Sequence, residues 1–136
     1  MLTTGAVFHS VIPGATQDQI NRFGALHGTT GRTHTDPEYA KTSVFGGVIV
    51  QGALVMAPIF DICRVVLGAP IDARMDVETK FVSFTRPGEA ISVKIEVVSA
   101  TPERVELSYS CANPAAKVVQ VGTVAWPSLN NDHQQA

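Results

Sequence analysis

The sequence predicts an α+β fold in which one long apolar helix is wrapped by a curled antiparallel sheet. Two observations carry this. Between Gln51 and Leu67, apolar residues (Leu54, Val55, Pro58, Ile59, Ile62, Val65 and Val66) cover most of a helix's circumference, the pattern of a helix buried on nearly all sides. From Ala73 onward the repeat shortens to alternation, with Val77, Thr79 and Phe81 separated by Glu78 and Lys80, as in a sheet with one covered face.

The elements follow in order. Residues 4–11 read as a first strand, stopped by Ile12-Pro13-Gly14. Thr16 is placed to cap a helix over QDQINRFGALH that ends at Gly28, with Ile20, Phe23, Ala25 and Leu26 on or near its apolar face. A loop follows. Asp36 then caps a short helix whose first residue is Pro37, and Gly46-Gly47 loosens the chain before the long helix. Pro58 is expected to kink that helix. After the turn at Arg86-Pro87-Gly88, Ile91, Val93, Ile95 and Val97 alternate with polar residues, and Val105, Leu107 and Tyr109 do the same. Asn113-Pro114 turns the chain into a last strand over Val118–Trp126. One domain over 1–127 and a polar, disordered tail over 128–136 are expected. A helix so enclosed by a curled sheet is the hotdog architecture. Its open sheet edge and partly uncovered groove are resolved by pairing two copies, so at least a homodimer is expected.

Composition narrows the function. The 136 residues are 45% apolar and only 16% charged, with net charge −2 and no basic run; nucleic acid is therefore not an expected partner. The longest apolar run is broken by Pro58, Asp61 and Arg64, so no membrane span is expected. The first residues lack a basic segment followed by an apolar one. Cys63 and Cys111 stand apart in apolar surroundings and read as buried, reduced thiols, which suits a cytoplasmic protein.

The stretch 28–52, GTTGRTHTDPEYAKTSVFGGVIVQG, concentrates glycines, hydroxyls, one arginine and one histidine. It resembles the signature of MaoC-like dehydratases and R-specific enoyl-CoA hydratases: a glycine, D-x-N-P-x-H, an Asp-Pro helix start, a Phe-Gly pair, and His-Gly opening the central helix. KFVSFTRPGEAISVKIEVV extends the likeness to roughly residues 8–127. The resemblance implies the hotdog fold and a lyase that adds or removes water on an acyl thioester held by coenzyme A or a carrier protein, with no cofactor. It places the family histidine on His34, the helix glycine on Gly52 and the catalytic aspartate on Thr29. The family asparagine falls on Gly31, its proline on Arg32, and the histidine before the helix glycine on Gln51. The histidine and the glycine are kept; the carboxylate is lost.

The residues can be read on their own chemistry. His34 carries an imidazole, which suits moving a proton beside a thioester carbonyl; alternatively it is a loop histidine bonded to backbone. Gly52, opening a helix, offers an unpaired N–H to a developing oxyanion, or simply permits close packing. Thr29 can hold water or substrate but cannot act as a base, and local turn bonding is its other role. Arg32 could bind an anion or be a solvated surface charge. His27 is a candidate replacement partner for the lost acid, or a helix C-terminal histidine. Catalytic candidates are thus His34, Gly52 and Thr29; substrate-binding candidates are Gly31, Arg32, Gln51 and His27. No metal is expected, since His27 and His34 lack thiolate or carboxylate companions at metal-site spacing. Asp61 and Arg64 could pair at the groove or the dimer seam. Two functions compete: a hydratase or dehydratase acting on a small acyl substrate, and a non-catalytic acyl-binding subunit in a hotdog heterodimer. A thioesterase would need a carboxylate to activate water, and on the main helix only Asp61 stands out.

Overall fold

The structure is a computed structural model that describes residues 2–68 and 74–127. The expected tail over 128–136, and Ala73 where alternation was expected to begin, lie outside the described residues. The elements are β1 (Val7–Ile12), α1 (Gln17–His27), α2 (Arg32–Thr35), α3 (Pro37–Thr42), α4 (Gly52–Leu67), β2 (Asp76–Phe81), β3 (Ile91–Ala100), β4 (Arg104–Ala112) and β5 (Val118–Pro127). The five strands form one antiparallel sheet in the order β1-β3-β4-β5-β2, so β1 and β2 are its edges.

Local rules set the element ends. Thr16 Oγ1 accepts the Gln19 N–H at 3.1 Å while Gln19 Oε1 accepts the Thr16 N–H at 2.9 Å, a complete capping box. Gly28 closes α1 at φ 75°, the left-handed conformation that costs glycine nothing. Asp36 caps α3 by accepting the Tyr39 N–H at 3.1 Å, with Pro37 at the first turn.

Cross-strand rows build the inner face of the sheet. Val93, Cys111, Gln120 and Phe81 stand opposite one another along one row, and Val97, Leu107, Val124 and Val77 along another. Between them, Ile95, Tyr109, Gly122 and Thr79 form a third. Here the Tyr109 ring lies over Gly122, where a Cβ would come within 2.6 Å of it, and its hydroxyl meets that of Thr79 beyond. The α4 residues Val55, Ile59 and Cys63 complete the core with these rows. Burial pushes the thiols of Cys63 and Cys111 up to about 12, and both are free.

Three expectations change. The first strand runs over residues 7–12 rather than 4–11. On α1 the buried positions are Ile20 and Gly24, whereas Leu26 is 80% exposed. In the single chain α4 is not buried on nearly all sides: Val55, Ile59 and Cys63 are covered, but Val65 is 71% exposed and Asp61 and Arg64 face outward. The apolar circumference exceeds what one sheet can cover. Pro58 lies inside α4, which extends across it from Gly52 to Leu67.

Candidate active site

The loop after α1 is not wholly irregular. Residues 32–35 form the one-turn helix α2, capped by Gly31, whose carbonyl accepts the N–H of His34 at 2.9 Å and of Thr35 at 3.2 Å. His34 therefore sits on a helical turn and is half-buried. Three bonds hold it. Gln17 Nε2 donates to the His34 carbonyl at 2.8 Å, the Ile49 N–H donates to the Thr33 carbonyl at 3.1 Å, and His34 Nδ1 lies 2.8 Å from the Ile49 carbonyl oxygen. A carbonyl only accepts, so this last contact places the neutral ring's hydrogen on Nδ1 and leaves Nε2 as the basic nitrogen.

The segment leading into α4 is gripped from the other side by the connection between β2 and β3. The Val50 N–H donates to the Thr85 carbonyl at 2.8 Å, and the Arg86 guanidinium donates to the carbonyls of Phe45 and Val48. Arg86 also lies over the Phe84 ring, 4.8 Å from its centroid, and fills the space a side chain on Gly47 would need. Gly47 is thus where loop and arginine approach closely.

Gly52 is the first residue of α4, and its N–H has no acceptor within the helix. The sheet holds it through two residues opposite each other on β2 and β5. The Phe81 ring occupies the place of a Gly52 Cβ, which would lie 2.5 Å from it, and Gln120 Nε2 donates to the Gly52 carbonyl at 3.1 Å. Thr29 lies beyond α1. Its N–H donates to the Gly24 carbonyl at 3.0 Å, an approach open because a Cβ on Gly24 would come within 2.7 Å of the Thr29 carbonyl oxygen. Gln51 Nε2 donates to the carbonyls of Ile20 at 2.9 Å and Thr29 at 3.4 Å. Gln51 is 3% exposed and fastens α1 to the start of α4. Two buried acceptor atoms here, Thr29 Oγ1 and Gln51 Oε1, have no hydrogen-bond partner among the described residues.

The remaining candidates stand apart. Arg32 reaches Asp36 Oδ2 through Nη2 at 3.2 Å and lies over the Tyr39 ring at 4.1 Å, so its charge is already answered. The Tyr39 N–H and then Arg32 hold the Asp36 carboxyl below its ordinary 3.8. His27 is exposed at the end of α1 with its ring 4.4 Å from that of Phe23, and no hydrogen bond joins it to His34. Asp61 and Arg64 pair at 4.0 Å on the exposed side of α4. Among the described residues no group of three or more His, Cys, Asp or Glu is placed to hold a metal ion, and no helix is long and apolar enough to cross a membrane. The supporting residues Gln17, Phe81, Gln120 and Arg86 were not singled out from sequence. Gln120 carried a signal, as a polar residue between Val119 and Val121 in a largely apolar strand.

The sequence profile of the MaoC like domain family matches residues 3–118. The chain belongs to the MaoC-like family. Solved structures agree on the fold. The unliganded R-hydratase PhaJ1 from Pseudomonas aeruginosa is 25% identical, with a TM-score of 0.79 over 91% of this chain and 80% of that one. An (R)-hydratase from A. caviae involved in PHA biosynthesis is 18% identical, with a TM-score of 0.80 over 92% and 96%. The ChsH1–ChsH2 complex from Mycobacterium tuberculosis is 12% identical, with a TM-score of 0.75 over 92% and 97%. Among curated proteins none matches. This MaoC-like chain is thus a hotdog domain, with α4 as its long helix.

Proposed function

We propose that this MaoC-like protein is a lyase that moves a proton beside the carbonyl of an acyl thioester or a related carbonyl compound, with His34 as acid–base group. The observation that carries the reading is the 2.8 Å contact of His34 Nδ1 with the Ile49 carbonyl, which leaves Nε2 as the ring's basic nitrogen. In the dehydration direction, Nε2 takes the α-proton while the Gly52 N–H stabilises the enolate-like oxygen. The imidazolium then returns that proton to the departing hydroxyl. A C–H and a C–O bond break, a C=C bond forms and water leaves, so a single histidine balances the step.

Thr29 stands at the family aspartate's place, and a positioned acid–base group contributes about 10²–10⁴ in rate. Ordinary enoyl-CoA hydration by this chain is therefore weak. The orphaned Thr29 Oγ1 supports a role for that hydroxyl in holding water or substrate, with no cofactor required. Thr29→Asp combined with Gly31→Asn is expected to raise crotonyl-CoA hydration at least ten-fold; an unchanged rate in the folded double variant would remove Thr29 and Gly31 from the site. A second reading is favoured by the lost carboxylate together with the likeness to the ChsH1–ChsH2 complex: a non-catalytic acyl-binding subunit that pairs with a catalytic hotdog chain. Co-purification with a chain carrying an intact D-x-N-P-x-H would support that reading, whereas an active homodimer would exclude it.

A further inference from the structure

We infer that a second binding site lies beside α4, in a groove that does not include His34, and that it takes a primary alkylammonium: a cationic amine on an aliphatic stem. The site is a groove of about 300 Å³, at the small end of ligand pockets. Its walls come from the end of β1, the 13–15 turn, α4 and the start of β3. Ile12, Leu54, Val55, Pro58 and Ile91 give it an apolar lining.

Acceptors without donors define the ligand. Glu89 lines the groove, and its Oε2 is buried with no hydrogen-bond partner among the described residues. A carboxylate oxygen removed from water is costly unless a donor reaches it. Arg86, three residues earlier, supplies none, since its guanidinium is committed to the carbonyls of Phe45 and Val48. The second acceptor is backbone. Pro58 has no N–H to offer the Leu54 carbonyl, and both residues line the groove. Gln19 Oε1 at the rim is already taken by the Thr16 N–H. A negative acceptor, a helix carbonyl lacking its usual i+4 donor and an apolar wall fit an ammonium, whose several N–H groups can satisfy more than one acceptor while its stem covers Leu54 and Ile91.

The test uses the full chain and hexylammonium chloride as the probe, with sodium hexanoate as the control, followed by two-dimensional 1H–15N NMR. Hexylammonium is expected to shift the amides of residues 12–15, 54–58 and 85–91 saturably at millimolar concentration, with hexanoate leaving them in place. Glu89→Gln keeps size and shape at a side chain whose Oε2 is unbonded, and it is expected to weaken the amine about ten-fold. Equal binding of hexanoate, shifts confined to residues 29–34, no saturable binding, or undiminished affinity in Glu89→Gln would each overturn the assignment. Should that variant misfold, the amine-against-hexanoate comparison on the native chain still decides. The site makes no use of His34, so a failed lyase assay leaves it untouched.

Discussion

At the scale of single residues, the account rests on how backbone carbonyls and orphaned atoms fix side-chain chemistry. His34 gains its tautomer from the Ile49 carbonyl. The sequence allowed a backbone-bonded His34 as an alternative, but it could not name Ile49, because a carbonyl partner has no sequence signature. What was legible was the cap at Asp36, since an Asp-Pro step permits few other readings. Its carboxyl is held below 3.8 by the Tyr39 N–H and by Arg32. A carboxylate with a lowered folded value stabilises the fold in full above its ordinary range, and that contribution disappears as pH falls through the lowered value. Asp36→Asn keeps a capping oxygen but cannot titrate. Urea denaturation at pH 7 and pH 3 is expected to show a smaller acid-induced loss of stability in Asp36→Asn than in the native chain; equal losses would mean that the pairing with Arg32 and Tyr39 carries no linkage.

At the scale of elements, the decisive contact is between the start of α4 and the sheet. Alternation of apolar and polar residues made β3 and β4 legible, because each is buried on one face, with the other exposed in β3 and half-buried in β4. The glycine opening α4 was legible too, but the reason for it was not. That reason is tertiary: Phe81 and Gln120, far apart in sequence, are opposite each other across β2 and β5 and both land on Gly52. Gly52→Ala is accordingly expected to cost roughly 1–3 kcal/mol, the usual range for overpacking. In a Phe81→Ala background that cost should largely vanish, giving a coupling energy in a double-mutant cycle read by urea denaturation. An undiminished cost in that background would show that Phe81 is not what excludes a side chain at Gly52. The one-turn α2 escaped the sequence reading for a related reason: four residues carry too little periodicity to announce a helix, and Gly31 looks like loop.

At the scale of the whole molecule, one sheet does not suffice for the apolar surface the chain carries. Val65 on α4 is 71% exposed, Phe81 on edge strand β2 is 57% exposed, and Val11 on the opposite edge is 66% exposed. The sequence pattern around α4 was read as full burial because periodicity reports which residues want cover, not which chain supplies it. Light scattering after size exclusion is expected to find at least a dimer, and Val77→Lys on the β2 edge is expected to weaken it by placing a charge where two strands would meet. A monomer at high concentration would leave the second, partner-dependent reading as the stronger. The central claim, a histidine-dependent lyase lacking the family carboxylate, is tested most directly by one assay. Purified protein and its His34→Ala variant are compared on a panel of enoyl-CoA and 3-hydroxyacyl-CoA thioesters of different chain lengths. The account predicts slow turnover of at least one thioester, reduced about 10²-fold or more in a folded His34→Ala. Turnover that survives the substitution, or none from either protein across the panel, would contradict it.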